Sequence, residues 1–449
     1  MYLIKKVSFI FAALALALSV GACHSVKPKE TTTTASAFVT VNGKQFMRGD
    51  RPYYIAGANM WYGGYLGAPN AVGDRARLAK ELDQLKALGV NNLRVLAVSE
   101  RSEINSAVKP ATTNGFGSYD ESLLQGLDYL LVEMAKRDMT AVLYLNNFWQ
   151  WSGGMTQYMA WIDGGSVADP NVTGDWEGFQ AKSASFYQSE QAQTEYRKTI
   201  HKLVTRVNTI SGQAYGDDTT IMSWQLANEP RPGNSKTTAA EKKIYLNWVD
   251  QTATYIHSLD KQHLVSTGNE GEMGSAVDMD LYAATHALPS IDYLTYHMWI
   301  RNWGWFDKRK PAETWDGAWK KGATYLHSHI DVANKLNKPL VLEEFGLDRD
   351  MGSYDIKSTT VYRDKFYREV FNVLVARAEA GDAIAGYNFW AWNGAARTQR
   401  SDYWWQQGDD FMGDPPQEEQ GMYGVFDSDT STIAIIRTMN QRLQALQNK

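Results

Sequence analysis

The 449-residue sequence predicts a (β/α)8 TIM barrel with long loops on its C-terminal face. Three observations predict it. Eight short apolar runs have strand character, and their near-continuous hydrophobicity is that of a sheet covered on both faces. Amphipathic helical patterns separate the runs, and eight strand–helix repeats close into a barrel more readily than they stay open. The chain is longer than a minimal barrel, and the excess follows the C-terminal ends of strands, where barrels do their chemistry.

Residues 38–41 and 45–46 flank Asn42-Gly43 and read as a small hairpin before the first strand. The strand runs are residues 53–61, 92–99, 140–148, 221–229, 263–270, 293–299, 339–346 and 384–392. A helix over 75–88 places Leu78, Leu82, Leu85 and Leu88 on one face. A second, over 121–137, does so with Leu124, Leu127, Leu131 and Met134. Helices are also expected over 190–210, 239–258, 315–336, 359–380 and 432–446, with a weaker one over 276–284. The long loops cover 149–189, 300–313 and 393–428, with a longish connection over 100–119. They are rich in Trp, Tyr, Gly and Asp, and ordered loops of this length are usually functional.

The N-terminus reads as a targeting segment. Lys5-Lys6 precede an apolar stretch over 7–20, then Gly21-Ala22-Cys23. The stretch is short for a membrane span, which needs about 20 apolar residues. Cys23 is the only cysteine in the chain. Its setting resembles a bacterial lipoprotein signal, in which the cysteine is acylated and becomes the new N-terminus. The expected organisation is a signal over 1–23, a polar tether over 24–37 and one domain over 38–449. The protein is then exported and held at a bacterial envelope only through lipid on Cys23, or else secreted. A monomer is expected.

The formal net charge is −5, with acids and bases evenly spread, so nucleic acid is not an expected partner. Aromatics make up 12% of residues, including 16 Trp and 24 Tyr, more tryptophan than a core requires. Flat rings with a polar edge suit the C–H faces of sugars.

Two apolar runs end in glutamate: Ser223-Trp224-Gln225-Leu226-Ala227-Asn228-Glu229-Pro230 and Leu340-Val341-Leu342-Glu343-Glu344-Phe345-Gly346. A carboxylate at the tip of a buried strand is disfavoured by desolvation unless hydrogen bonds or a cation hold its charge. Two of them suggest an acid and a nucleophile facing one bond. Asn228 can bond a substrate hydroxyl beside Glu229. Glu343 and Glu344 are consecutive, so strict alternation points them to opposite faces and only one at the cleft. The residues alone leave that choice open. Arg94 is a cation inside an apolar strand and needs a partner, which a buried nucleophile would supply. His297 and Trp299 share one face of the sixth strand, and Trp390 and Trp392 one face of the eighth.

No metal or other cofactor is expected. His327-Ser328-His329 lies in a helical pattern, where residues two apart do not share a face. Asp427-Ser428-Asp429 is too short for a calcium loop, and no Walker, dinucleotide or Gly-x-Ser-x-Gly pattern is present.

Together these segments resemble glycoside hydrolase family 5, a group of retaining (β/α)8 enzymes, over residues 38 to the end. The resemblance implies that Glu229 is the acid/base and that Glu344, set just before Phe345-Gly346, is the nucleophile. It also implies that Arg94, Asn228, His297, Trp299, Trp390 and Trp149 contact substrate. Trp299 stands where many members carry tyrosine. Residues 146–154 and 408–416 are similar to the mannan-degrading branch, and most closely to its exo-acting β-mannosidases. The implied activity is release of mannose from the non-reducing end of β-1,4-manno-oligosaccharides and mannan. The alternatives are an endo-β-1,4-mannanase with the same pair, and a non-catalytic surface glycan-binding lipoprotein.

Overall fold

The computed structural model describes residues 37–448. Cys23, the expected signal and all of the expected tether except Ala37 lie outside the described residues. Among the described residues no helix is long and apolar enough to cross a membrane.

Eight parallel strands form the barrel: Ile55–Asn59, Asn92–Leu96, Thr140–Tyr144, Ile221–Gln225, Leu264–Ser266, Leu294–Met298, Leu340–Phe345 and Ile384–Phe389, numbered one to eight in chain order. Their order in the sheet is five-four-three-two-one-eight-seven-six. Strands five and six lack a ladder, but Asp292 N donates to Val265 O at 2.9 Å and His297 N to Glu270 O at 3.0 Å. A Thr267–Thr295 hydroxyl pair at 3.1 Å adds to the seam. Every residue of all eight strands is buried. Both faces are covered, by interior side chains and by helices, so the runs read as continuous rather than alternating.

The N-terminal hairpin closes the floor. Val39–Asn42 pairs with Gln45–Arg48, and the turn falls at Gly43-Lys44, with Gly43 at φ 56°. A separate strand, Arg51–Tyr53, pairs with the hairpin and includes Tyr53, the expected start of strand one. Phe46 and Tyr53 pack with Ile55, Val142, Met222, Leu264, Val341 and Ala385, one layer drawn from six strands at their N-terminal ends.

Most helices lie where the periodicity places them, with side-chain oxygens at their starts. Asp74, Asp120 and Ser189 accept first-turn amides, and Thr238 with Glu241 forms a capping box. Two helices depart from expectation. The helix expected over 190–210 stops at Val204, because Asn208 Oδ1 accepts the amides of Ile210 and Ser211 and turns the chain. The helix expected over 276–284 is Met279–Ala287, since Ala276 and Val277 take positive φ and Asp278 caps the helix start by accepting the amide of Leu281. The expected loop after strand three carries three helices: Gly154–Asp163, Pro170–Thr173 and Trp176–Ala184.

Gly268 lets the ends of strands four and five meet. Its φ is +74°, and a Cβ there would lie 1.9 Å from Ala227 O. Its own carbonyl accepts the amide of Glu229 at 2.9 Å. Gly268→Ala should therefore cost about 2 kcal/mol or more, through a strained φ and a backbone clash. A thermal unfolding midpoint equal to that of the unsubstituted protein would refute this.

Candidate active site

Arg94 sits on strand two with its side chain wholly buried. Its guanidinium organises the mouth of the barrel. Nε donates to Gln225 Oε1 at 2.8 Å, Nη2 to Asn228 Oδ1 at 2.8 Å, and Nη1 to Asn59 Oδ1 at 3.2 Å. Nη1 also donates to the Glu344 carboxylate, and the guanidinium carbon lies 4.7 Å from the centre of the Tyr144 ring. Ligands from strands one, three, four and seven thus converge on one cation.

Glu343 and Glu344 both reach this arginine, which corrects the expectation that they face opposite ways. The register of strand seven against strand six slips between Leu342 and Glu344. Two residues there oppose one, a bulge that breaks alternation. Glu343 lies 3.6 Å from Arg94 Nε and accepts from Gln225 Nε2 with its two carboxylate oxygens, while that nitrogen also donates to Ser266 Oγ. Glu344 lines the open cavity.

Glu229 stands past the end of strand four at φ 49°. Its Oε2 accepts from Trp149 Nε1 at 2.5 Å, and its Oε1 shares a 2.6 Å bond with His297 Nδ1. That nitrogen is also 3.4 Å from Glu344 Oε2. One carboxylate oxygen of each glutamate and a ring nitrogen of His297 all lie within 4.8 Å of one another. Such donors can hold a metal ion, but here each is engaged: His297 on Glu229, Glu344 on Arg94.

The electrostatics derive from burial and neighbours. Burial alone would raise Glu229, but the His297 hydrogen bond and charge, Arg231 and Trp149 outweigh it and hold the carboxyl down to about 2. Burial pushes Glu344 up to about 7, against the opposing pull of His297 and Arg94. Burial would lower His297, yet Glu344, Glu229 and Glu343 together push it up to about 9. A protonated imidazole therefore bonds the Glu229 carboxylate.

A cavity of about 620 Å³ opens over this cluster. Of the residues expected to act at the site, Trp149, Asn228, Trp299, Trp390, Glu229 and Glu344 line it, whereas Arg94 and His297 do not and bond the two glutamates instead. Trp299 packs edge-on to Trp390 with ring centres 5.9 Å apart, and lies 5.0 Å from the Tyr423 ring. Trp392 is buried away from the cavity, so the pair at the end of strand eight divides into one lining ring and one packing ring. His329 of the His-x-His is a packing residue: its Nδ1 meets Tyr325 O and its Nε2 accepts the amide of Glu272.

Sequence reasoning missed Glu270, Arg231 and Glu418, all of which line the cavity. Glu270 ends the strand-five run, the same signature that singled out Glu229 and Glu344. It pairs with Arg231 and accepts from Trp303 Nε1 at 3.1 Å. Arg231 comes two residues after Glu229 and lies over the Trp149 ring at 4.9 Å. Glu418, deep in the loop after strand eight, had no sequence signal. Its Oε2 is buried without a protein partner, and burial, together with the charge of Asp414, pushes the carboxyl well up.

A (β/α)8 barrel that brings two carboxylates together over a tryptophan-lined cavity defines a glycoside hydrolase. The chain belongs to the GH family 5 beta-mannosidase-like family, whose model matches residues 36–448. It is 36% identical to a glycoside hydrolase family 5 mannosidase from Rhizomucor miehei, with a TM-score of 0.83 over 92% of this chain and 99% of that one. A mutant of the Rhizomucor miehei mannosidase in complex with mannosyl-fructose matches with a TM-score of 0.84, at 36% identity, over 92% of this chain and 98% of that one. Mannan endo-1,4-beta-mannosidase 1 of Arabidopsis thaliana is 28% identical over 371 residues, 79% of this chain and 82% of its own.

The charge assignment is open to direct measurement. In a carbon-13 NMR titration of the glutamate carboxyls, Glu344 should titrate above the ordinary 4.5 and Glu229 below it. Arg94→Met removes a cation that favours ionised Glu344 and should move that carboxyl further up. An unchanged Glu344 titration would break the link to Arg94.

Proposed function

We propose that the protein is a retaining β-mannosidase that removes mannose from the non-reducing end of β-1,4-manno-oligosaccharides and mannan. The observation that carries the chemistry is the separation of Glu229 and Glu344. Retaining glycosidases hold their two carboxyls about 5–5.5 Å apart, whereas inverting enzymes leave room for a water. Oxygens within 4.8 Å fit the first arrangement.

In this reading Glu344 attacks the anomeric carbon from its place on Arg94. Glu229 delivers a proton to the departing oxygen. His297 bears a proton at the 2.6 Å bond with Glu229, so the proton is already beside that carboxylate. Water then hydrolyses the glycosyl-enzyme, with Glu229 taking its proton. Asn228, Trp149, Trp299 and Trp390 bind the sugar.

End-cutting is supported by a bridge between two loops in the cavity wall. Asn171 Nδ2, from the loop after strand three, donates to Gln417 O, from the loop after strand eight, at 3.1 Å. Asn171, Pro415, Gln417 and Glu418 all line the cavity at this strap. The terminal sugar then sits against the strap, with the rest of the chain toward Arg231, Glu270 and Trp303. The second reading is an endo-mannanase, favoured by the activity for which the Arabidopsis relative is named.

Glu229→Ala and Glu344→Ala should each lose activity by orders of magnitude, and azide should rescue Glu344→Ala with formation of the α-mannosyl azide. Rescue of a Glu343→Ala variant instead would reassign the nucleophile. The acid limb of kcat/KM should lie above the ordinary carboxylate range, because a nucleophile with a raised pKa is lost as pH falls through it. From mannohexaose at low conversion, mannose plus mannopentaose alone is expected. A spread of mannobiose, mannotriose and mannotetraose would make the protein endo-acting.

The same reading keeps the protein at a bacterial envelope through acylated Cys23. Cys23→Ser should release the domain from the membrane fraction, and continued sedimentation with membranes would refute the anchor.

A further inference from the structure

A second cavity, of about 630 Å³, lies on the far side of the strap. It matches the first in size but contains neither Glu229 nor Glu344. Its walls come from the loops after strands two, three and eight. Asn171 lines both cavities, and on the other loop the chain passes from Pro415 in the first to Pro416 in the second. Asn171 and the run Pro415-Pro416-Gln417 thus border both cavities.

The lining of the second cavity is unusual for loop packing. Trp404 is 38% exposed there, although burying an indole is favourable. Beside it Trp405 is only 6% exposed, yet its buried Nε1 has no protein partner. The two rings are presented by a braced segment. Trp405 lies over Phe411 with ring centres 5.6 Å apart, and Arg400 Nη2 donates to Asp409 Oδ1 at 3.0 Å. Amides complete the wall at Asn105, Asn171 and Gln406, and Lys109, Asp169 and Asp402 also line it. Exposed indole, amide groups and nearly balanced charge suit a neutral ring that carries hydroxyls on its edge and C–H bonds on its face.

From this second lining we infer that the cavity is a non-catalytic sugar-binding site, which holds an internal stretch of mannan beside the strap while the first cavity acts on chain ends. The inference rests on the mannan substrate proposed for the first cavity. The catalytic pair, Glu229 and Glu344, stands in the first cavity, and Asp169 in the second is taken up by the Ser106 hydroxyl at 2.8 Å and the Asn171 amide at 3.0 Å. The second cavity keeps the enzyme on the polymer between encounters with chain ends, which are few in a long polysaccharide.

The test uses Glu344→Gln, so that the polymer is not consumed, run on native gels containing soluble high-mass galactomannan. A cavity that admits only chain ends finds few sites there, so retardation reports the second cavity. The Glu344→Gln protein should migrate several-fold more slowly than in sugar-free gel. Trp404→Ala in that background should restore most of the mobility with an unchanged thermal midpoint. Gln406→Ala should restore it in part, which keeps the test open if the tryptophan variant is unstable. No retardation of the Glu344→Gln protein, or full retardation of a folded Trp404→Ala variant, overturns the inference. Release of nitrophenol from p-nitrophenyl β-mannoside by the unsubstituted protein separates the two levels. Turnover without retardation sinks only the second site, whereas no turnover sinks the mannosidase reading itself.

Discussion

A guanidinium buried at the axis of a barrel has to be surrounded by acceptors, because the desolvation of an unpaired charge is strongly unfavourable. Arg94 meets that requirement with Gln225, Asn228, Asn59 and Glu344, and with Glu343 alongside. Each of these acceptors is held in turn by its own strand. The position of Glu344 in the cavity, the orientation of Asn228 and the burial of Glu343 are consequences of satisfying one cation. The planar fork matters here: a lysine could neutralise the carboxylates but could not hold three amides and a carboxylate in fixed directions.

What was legible in the sequence was whatever broke a pattern. Arg94 and Glu229 stood out as charges in apolar runs, and the barrel places both at its mouth. Glu270 broke the pattern in the same way at the tip of strand five and could have been found by the same rule. Glu418 could not, because its place beside the cavity depends on how a loop of about 35 residues folds back, and such contacts leave no periodic trace. The strap formed by Asn171 and Gln417 was illegible for the same reason. Its two halves lie far apart in the chain and meet through one side-chain amide and one backbone carbonyl.

The paired glutamates illustrate a different limit. Period-two alternation is sound for a regular strand, and it predicted that Glu343 and Glu344 would part company. The bulge in strand seven is a local event that alternation does not contain. It lets both carboxylates approach Arg94 and gives them different tasks: one lies against Gln225, the other faces the cavity. Resemblance to a family chose Glu344 as the nucleophile, and Glu344 is the one of the two that lines the cavity.

The hairpin beneath the barrel has a geometric consequence. Phe38 lies against the ring of His263, just before strand five, and Arg48 Nε bonds the carbonyl of Ala37. The chain therefore enters the domain at its base, on the pole opposite the cavities. With Phe46 and Tyr53 packed into that pole, what reaches the buried carboxylates is decided by the loops at the other end, so loop sequence can change the substrate while the barrel stays the same.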